Sequence, residues 1–168
     1  MQTFLPYPDF AKSAAVLDNR RLGKQRVEAL QIFNALVGDG ARRGWSAHPA
    51  ALMWRGCEAA LVDYAAAAVC AEWARRGYSN AKMDVKLREM RLAVRGRKRV
   101  SPSWLGDARF HAAHRSNLLR KYPEHYRRFW PKLRDDLPYV WPTDKAFPKA
   151  RAVRAAHRQR SSNPKQGE

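Results

Sequence analysis

The segment HPAALMWRGCEAALVDYAAAAVCAEWARRG, His48 to Gly77, restricts the fold more than any other part of the chain. Alanine has the highest intrinsic helix propensity, and the run Ala65 to Ala68 offers a narrow surface on which neighbouring helices can pack closely. Pro49 suits a first helical turn and Gly77 a stop, so the pattern predicts one long central helix between them. Its longest apolar run, Ala59 to Ala71, contains Asp63 and lies between Glu58 and Glu72. A bilayer span needs about 20 largely uncharged residues, so the run reads as a core helix around which the others pack.

The remainder predicts an all-α fold, a single compact domain of about four to five helices. Asp18 is placed to cap a helix in which Leu22, Leu30, Phe33 and Val37 recur near the helical period, and Gly38 and Gly40 then end it. Asn80 to Arg95 is helix-prone, and Gly96-Arg97-Lys98-Arg99 before Ser101-Pro102 reads as a basic loop. A further helix is expected from about Leu105 to Lys121, and Pro123 opens a short one. Pro138, Pro142 and Pro148 discourage regular structure beyond it. From Asp144 the chain is rich in Lys, Arg, Ala and Ser, which predicts a helical domain over 1–143 and a flexible basic tail over 144–168.

The 168 residues carry 33 Lys and Arg against 15 Asp and Glu, a formal net charge of +18. Such a chain is suited to a polyanion, with nucleic acid the leading partner. The excess is uneven: the central helix is near neutral, while the first long helix, the Arg97 loop, the Arg115 to Arg128 region and the tail hold most of it. A basic face follows. Trp45, Tyr78, Trp104, Tyr126 and Trp130 are interleaved with these cations, as in a surface that stacks on or wedges between bases, although core packing is the plainer account of any one of them. Cys57 and Cys70 show no CxxC pattern and read as reduced thiols, neither a disulfide scaffold nor a zinc site. The opening MQTFLPYPDF has no basic leader and no signal-like apolar segment, so the expected setting is the cytoplasm, alongside the nucleoid. No membrane association and no obligate protein partner are expected, and nothing requires more than a monomer.

Within RRLGKQRVEAL, Glu28 is a lone acid among Arg20, Arg21, Lys24 and Arg26. At about 100° per residue, Arg21, Gln25, Glu28 and Ile32 form one stripe, away from the apolar centre at Leu22, Ala29 and Phe33, which predicts an outward-facing carboxylate. An i,i+4 pair with Lys24 is the plain explanation, but Lys on the N-terminal side is the weaker order, worth a few tenths of a kcal/mol. A surface acid within a phosphate-binding patch weakens binding, a cost that a chemical role would explain.

HAAHRSNLLRK holds His111 and His114 at i,i+3 with Asp107 one turn earlier, a spacing open to metal ligation, but no fourth ligand is evident. The preferred reading is a helix that offers His114, Arg115, Asn117, Arg120 and Lys121 to DNA phosphates. His48 stands at the start of the predicted central helix, where it can cap the helix or meet a phosphate. There is no P-loop, GxGxxG, GxSxG or HExxH, so nucleotide hydrolysis, Rossmann redox, esterase and zincin chemistry have no support.

The succession of Met-Gln-Thr-Phe at the start, RLGKQRVEAL, GWSAHPAALMWRG, ARRGYSN and HYRRFW resembles the pyrimidine dimer DNA glycosylases of the phage endonuclease V type, over about residues 1 to 142. The resemblance implies an all-α enzyme, free of metal and organic cofactor, acting on double-stranded DNA that contains a damaged or modified base. Such enzymes cut the glycosidic bond and then nick the strand by β-elimination, as abasic-site lyases. The nucleophile implied is the α-amino group of the first residue, here Met1, since Gln2 is too large for ordinary methionine removal. Glu28 matches the first-helix glutamate that assists attack on C1′ of the deoxyribose and later proton transfers. Gln2, Arg20, Arg21, Lys24 and Gln25 are the neighbouring candidates for holding DNA.

Where the phage enzyme carries arginines just after its first residue, before its glutamate and three residues beyond it, this chain has Gln2, Val27 and Gln31. Arg20, Arg21 and Arg26 stand at neighbouring positions. A damaged pyrimidine, a pyrimidine dimer or another modified base therefore all stay open as the target. A non-catalytic DNA-binding or architectural protein, and a metal-dependent nuclease built on Asp107, His111 and His114, are the alternatives.

Overall fold

The computed structural model describes residues 2–37 and 43–142. Expectations that fall on Met1, on Gly38 and Gly40, and on the tail from Asp144 lie outside the described residues. All regular structure among the described residues is helical, in one domain with a shared core, as the sequence pattern requires.

The first two helices begin on capping acids. In α1, Phe10–Val16, the Asp9 carboxylate accepts from the Lys12 amide, and in α2, Asn19–Val37, Asp18 Oδ1 accepts from the Arg21 amide at 3.1 Å. The sequence reading anticipated the second cap and missed α1, whose start follows the prolines at 6 and 8.

The central helix differs from expectation in a specific way. Two short turns, α3 (Arg43–Ser46) and α4 (Pro49–Leu52), precede it, and the chain reverses through Arg55 and Gly56 before helix resumes. Gly56 has φ +79, a conformation open to glycine at little cost, so the rod starts at Glu58 and not at Pro49. From there α5 (Glu58–Asp63), a π-helical stretch (Tyr64–Cys70) and α6 (Ala71–Arg75) run on continuously to Gly77, where φ is +85. The π stretch contains the alanine run, and α1 and α2 pack against it. The rod is therefore the centre of the fold, as the alanine pattern indicated.

Farther on, α7 spans Ala81–Ala93, α8 spans Ala108–Lys121, and α9 is one turn, Pro123–Tyr126. Asp107 accepts from the Arg109 and Phe110 amides, so this carboxylate caps α8. Trp54, Tyr64, Phe110 and Tyr126 are fully enclosed, and Trp104 and Trp130 join them. Each such ring contributes about 2 to 3 kcal/mol through burial. Of the five aromatics considered as base-stacking candidates, Trp104, Tyr126 and Trp130 thus belong to the core, and only Trp45 and Tyr78 are exposed.

Gly23 of the RLGK motif has a packing reason. A β-carbon there would lie 3.0 Å from the Trp73 ring, which stacks on Tyr78 with centroids 4.1 Å apart and carries the Arg26 guanidinium over it at 4.3 Å.

Candidate active site

Residues 2–6 cross the face of α2 as an extended segment, with Thr3 to Pro6 buried. A segment outside helix or sheet needs side chains to satisfy its backbone. They come from several helices. His114 Nδ1 accepts from the Leu5 amide at 2.9 Å, and His111 Nδ1 lies 2.8 Å from the Leu5 carbonyl. Because the Gly106 amide donates to His111 Nε2, the proton of that ring is on Nδ1 and goes to Leu5. The two histidines therefore hold both sides of one residue, each in its neutral form. Arg115 donates to the Pro6 carbonyl at 2.8 Å, and Trp54 Nε1 donates to Thr3 Oγ1 at 3.0 Å. Burial, and then the nearby His111, push the His114 imidazole down to about 3, while burial lowers His111 as well.

The same segment meets Gln25 and Glu28. Gln25 Oε1 accepts from the Phe4 amide and from the Tyr64 hydroxyl, both at 2.7 Å. Its Nε2 donates to the Gln2 carbonyl at 3.0 Å and to Glu28 Oε2 at 2.8 Å. Glu28 Oε1 faces Lys24 Nζ at 3.6 Å. The residue is only 6% exposed. This corrects the outward-facing expectation: the Gln25–Glu28–Ile32 stripe does lie off the centre of the apolar face, but residues 2–5 and Tyr64 cover it. Burial drives the Tyr64 hydroxyl well above its usual range, with the Glu28 charge adding to the effect, so it remains a donor.

A pocket of about 400 Å³ opens at this point. Gln2, Phe4, Gln25 and Glu28 form its inner wall, and Arg20, Arg21, Lys24 and Lys121 its rim. One carboxylate thus sits inside a ring of cations. Arg21 is fixed in place, because its Nη1 donates to Asp18 Oδ2 at 2.7 Å and its Nη2 to the Lys121 carbonyl at 3.1 Å. Tyr126 donates to the same Asp18 oxygen at 2.7 Å. Burial works to raise the Asp18 carboxyl, but the Arg21 guanidinium, the Tyr126 hydroxyl and the Arg21 amide together hold it below the usual range. A rim of this kind suits DNA phosphates, and the recessed carboxylate suits a carbon that develops positive charge.

Seven sequence-predicted residues therefore converge here: Gln2, Arg20, Arg21, Lys24, Gln25, Glu28 and Lys121. Others do not. His114 and Asn117 are buried at 1% and 0% exposure, so the expectation that they face DNA is corrected. Asn117 donates to the Ala113 and Leu137 carbonyls and accepts from Arg120. Arg115 is half-buried and committed to Pro6, while Arg120 is exposed outside the pocket wall. His48 Nδ1 accepts from the Ala50 amide at 3.1 Å, the capping alternative. The ring nitrogens of His111 face the Leu5 carbonyl and the Gly106 amide, and Asp107 is engaged as a cap, so these three do not converge on a common point. Sequence reasoning also missed the hydroxyl roles of Tyr64, which reaches Gln25 Oε1, and of Tyr126, which reaches Asp18; only the fold brings them there.

No helix among the described residues is long and apolar enough to cross a membrane. No curated protein and no solved structure gives a significant match to the chain. A family model does: that of the pyrimidine dimer DNA glycosylases matches residues 1–86, a span that contains the Gln2–Gln25–Glu28 wall, three of the four rim cations and the Gly23–Trp73 contact. The chain belongs to the pyrimidine dimer DNA glycosylase family.

Proposed function

We propose that the protein excises a damaged pyrimidine, a pyrimidine dimer or a related modified base, from double-stranded DNA, and then nicks the abasic strand as a lyase. The observation that carries the reading is the Glu28 carboxylate, recessed within a cationic rim and joined through one amide to the Gln2 carbonyl. The α-amino group of Met1, the residue before Gln2 in sequence, is the nucleophile of this reading.

An α-amino group has a reference pKa of about 8, and nearby cations lower it, so a useful fraction is the free amine near neutral pH. Its lone pair attacks C1′ of the deoxyribose while the C1′–N bond breaks, and the base departs with that electron pair and takes up a proton. Opening of the sugar ring leaves an imine between the amine and C1′. Removal of a C2′ proton then expels the 3′ phosphate by β-elimination, and water releases the amine from the product. Glu28 stabilises the cationic sugar and carries the protons between these steps. Arg20, Arg21, Lys24 and Lys121 hold the backbone, and the nucleotide reaches the pocket by duplex opening.

Borohydride reduction during reaction with lesion-containing or abasic DNA tests this reading. A covalent complex should form through Met1, persist in EDTA and vanish when the N-terminus carries a blocking tag. DNA binding with neither trapping nor base release would refute the reading in favour of an architectural protein, and EDTA-sensitive cutting would refute it in favour of a nuclease.

A further inference from the structure

The four hydrogen bonds of Gln25 exhaust its capacity: two acceptor sites face two donors, and two donor hydrogens face two acceptors. This fixes the amide's orientation, because turning it over would set an NH₂ against the Phe4 amide and an oxygen against the Gln2 carbonyl and the Glu28 carboxylate. The side chain has no exposure, so its bonds are made within the protein and not to DNA. It also links parts that are distant in sequence: the extended N-terminal segment, α2, and the π-helical stretch through Tyr64.

We infer that Gln25 is the positioning residue of this site, the group that holds the Glu28 carboxylate in register with the N-terminal segment and keeps it as an acceptor. This rests on the function proposed above. A carboxamide does both tasks at once, since its Nε2 can donate to a carbonyl and a carboxylate together, whereas a carboxylic acid in its place has one proton to offer. Tyr64 orients the amide from behind, its hydroxyl 2.7 Å from Gln25 Oε1.

The test is single-turnover base release against pH, with DNA affinity measured separately. Wild-type protein is run first, and its failure to release base overturns the function on which the inference rests. Given an active wild type, Q25E places a second carboxyl 2.8 Å from Glu28, where the pair must share a proton. The acidic limb of the rate profile should move up by about one pH unit or more, with a rate at neutral pH about tenfold lower or less, and Kd for DNA unchanged within about twofold. A wild-type profile, or a loss of affinity with the rate on bound DNA intact, overturns the inference. If Q25E does not fold, Y64F decides: it removes the hydroxyl behind the amide, with its 2.7 Å bond to Gln25 Oε1 and its 3.2 Å approach to the Phe4 carbonyl, and should lower the rate on bound DNA several-fold without altering Kd. A wild-type rate in Y64F then overturns it.

Discussion

Acid should loosen this protein through His114 before its carboxylates titrate. The imidazole is fully enclosed, accepts from the Leu5 amide at 2.9 Å, and is pushed down to about 3 by burial and by His111. In the unfolded chain it titrates near 6.5. Between those values the unfolded state binds a proton that the folded state refuses, so stability rises with pH across the window. The contribution is present in full above about pH 6.5 and falls by about 1.4 kcal/mol per pH unit below it, roughly 2.7 kcal/mol at pH 4.5. That is a large share of a typical 5 to 15 kcal/mol total. Asp18, whose carboxyl is held below 3.8, does not interfere in this range, because its contribution is lost only at lower pH. Urea unfolding of wild type and H114Q from pH 7 to pH 4.5 isolates the effect, since glutamine can still accept from Leu5 but does not titrate. Wild type should be the more stable at pH 7, and its advantage should shrink by about 2 to 3 kcal/mol at pH 4.5. Parallel pH dependences in the two proteins would refute the assignment of a neutral, proton-excluding His114.

E28Q should abolish base release while leaving DNA affinity intact or improved, because a negative charge leaves the cationic pocket; full activity in an excision assay would return Glu28 to a plain ion pair with Lys24. G23A should lower the melting temperature despite the roughly 1 kcal/mol by which alanine favours a helix, because its β-carbon meets the Trp73 ring at 3.0 Å and such overpacking costs about 1 to 3 kcal/mol. A raised melting temperature with unchanged tryptophan emission would contradict that. Replacing Arg20 or Lys121 with alanine should reduce the salt slope of DNA binding by about one each if these rim cations meet phosphate, measured by titration across salt concentrations.

The helical elements were legible where local chemistry and packing agree. Asp18 caps α2 as its position suggested, and the stretch that contains the alanine run is the surface on which α1 and α2 rest. The break at Gly56 was not legible, because alanine-rich flanks on both sides carry strong helix propensity and a single glycine weighs little against them. What settles the break is tertiary. The chain must turn there to send Trp54 inward, where it meets Trp104 edge-on at 5.1 Å and donates to Thr3.

The site was misread for a related reason. A helical wheel treats α2 as an isolated rod, and on such a rod Gln25 and Glu28 are polar and therefore outside. The sign of burial was nevertheless present, since the stripe continues into Ile32, which has no exposure. A polar pair that shares its stripe with an enclosed isoleucine must be covered by something able to satisfy it, and an extended segment can do so because its own backbone groups are unspent. The His111–His114 pair follows the same logic. Its i,i+3 spacing resembled a ligand set, yet what it grips is the backbone of one residue, one ring donating to the carbonyl of Leu5 and the other accepting from its amide. Those bonds fix Leu5, Gln25 fixes Phe4 and Gln2, and so histidines deep in α8 help to set how residues 2–5 lie beside Glu28 without lining the pocket themselves.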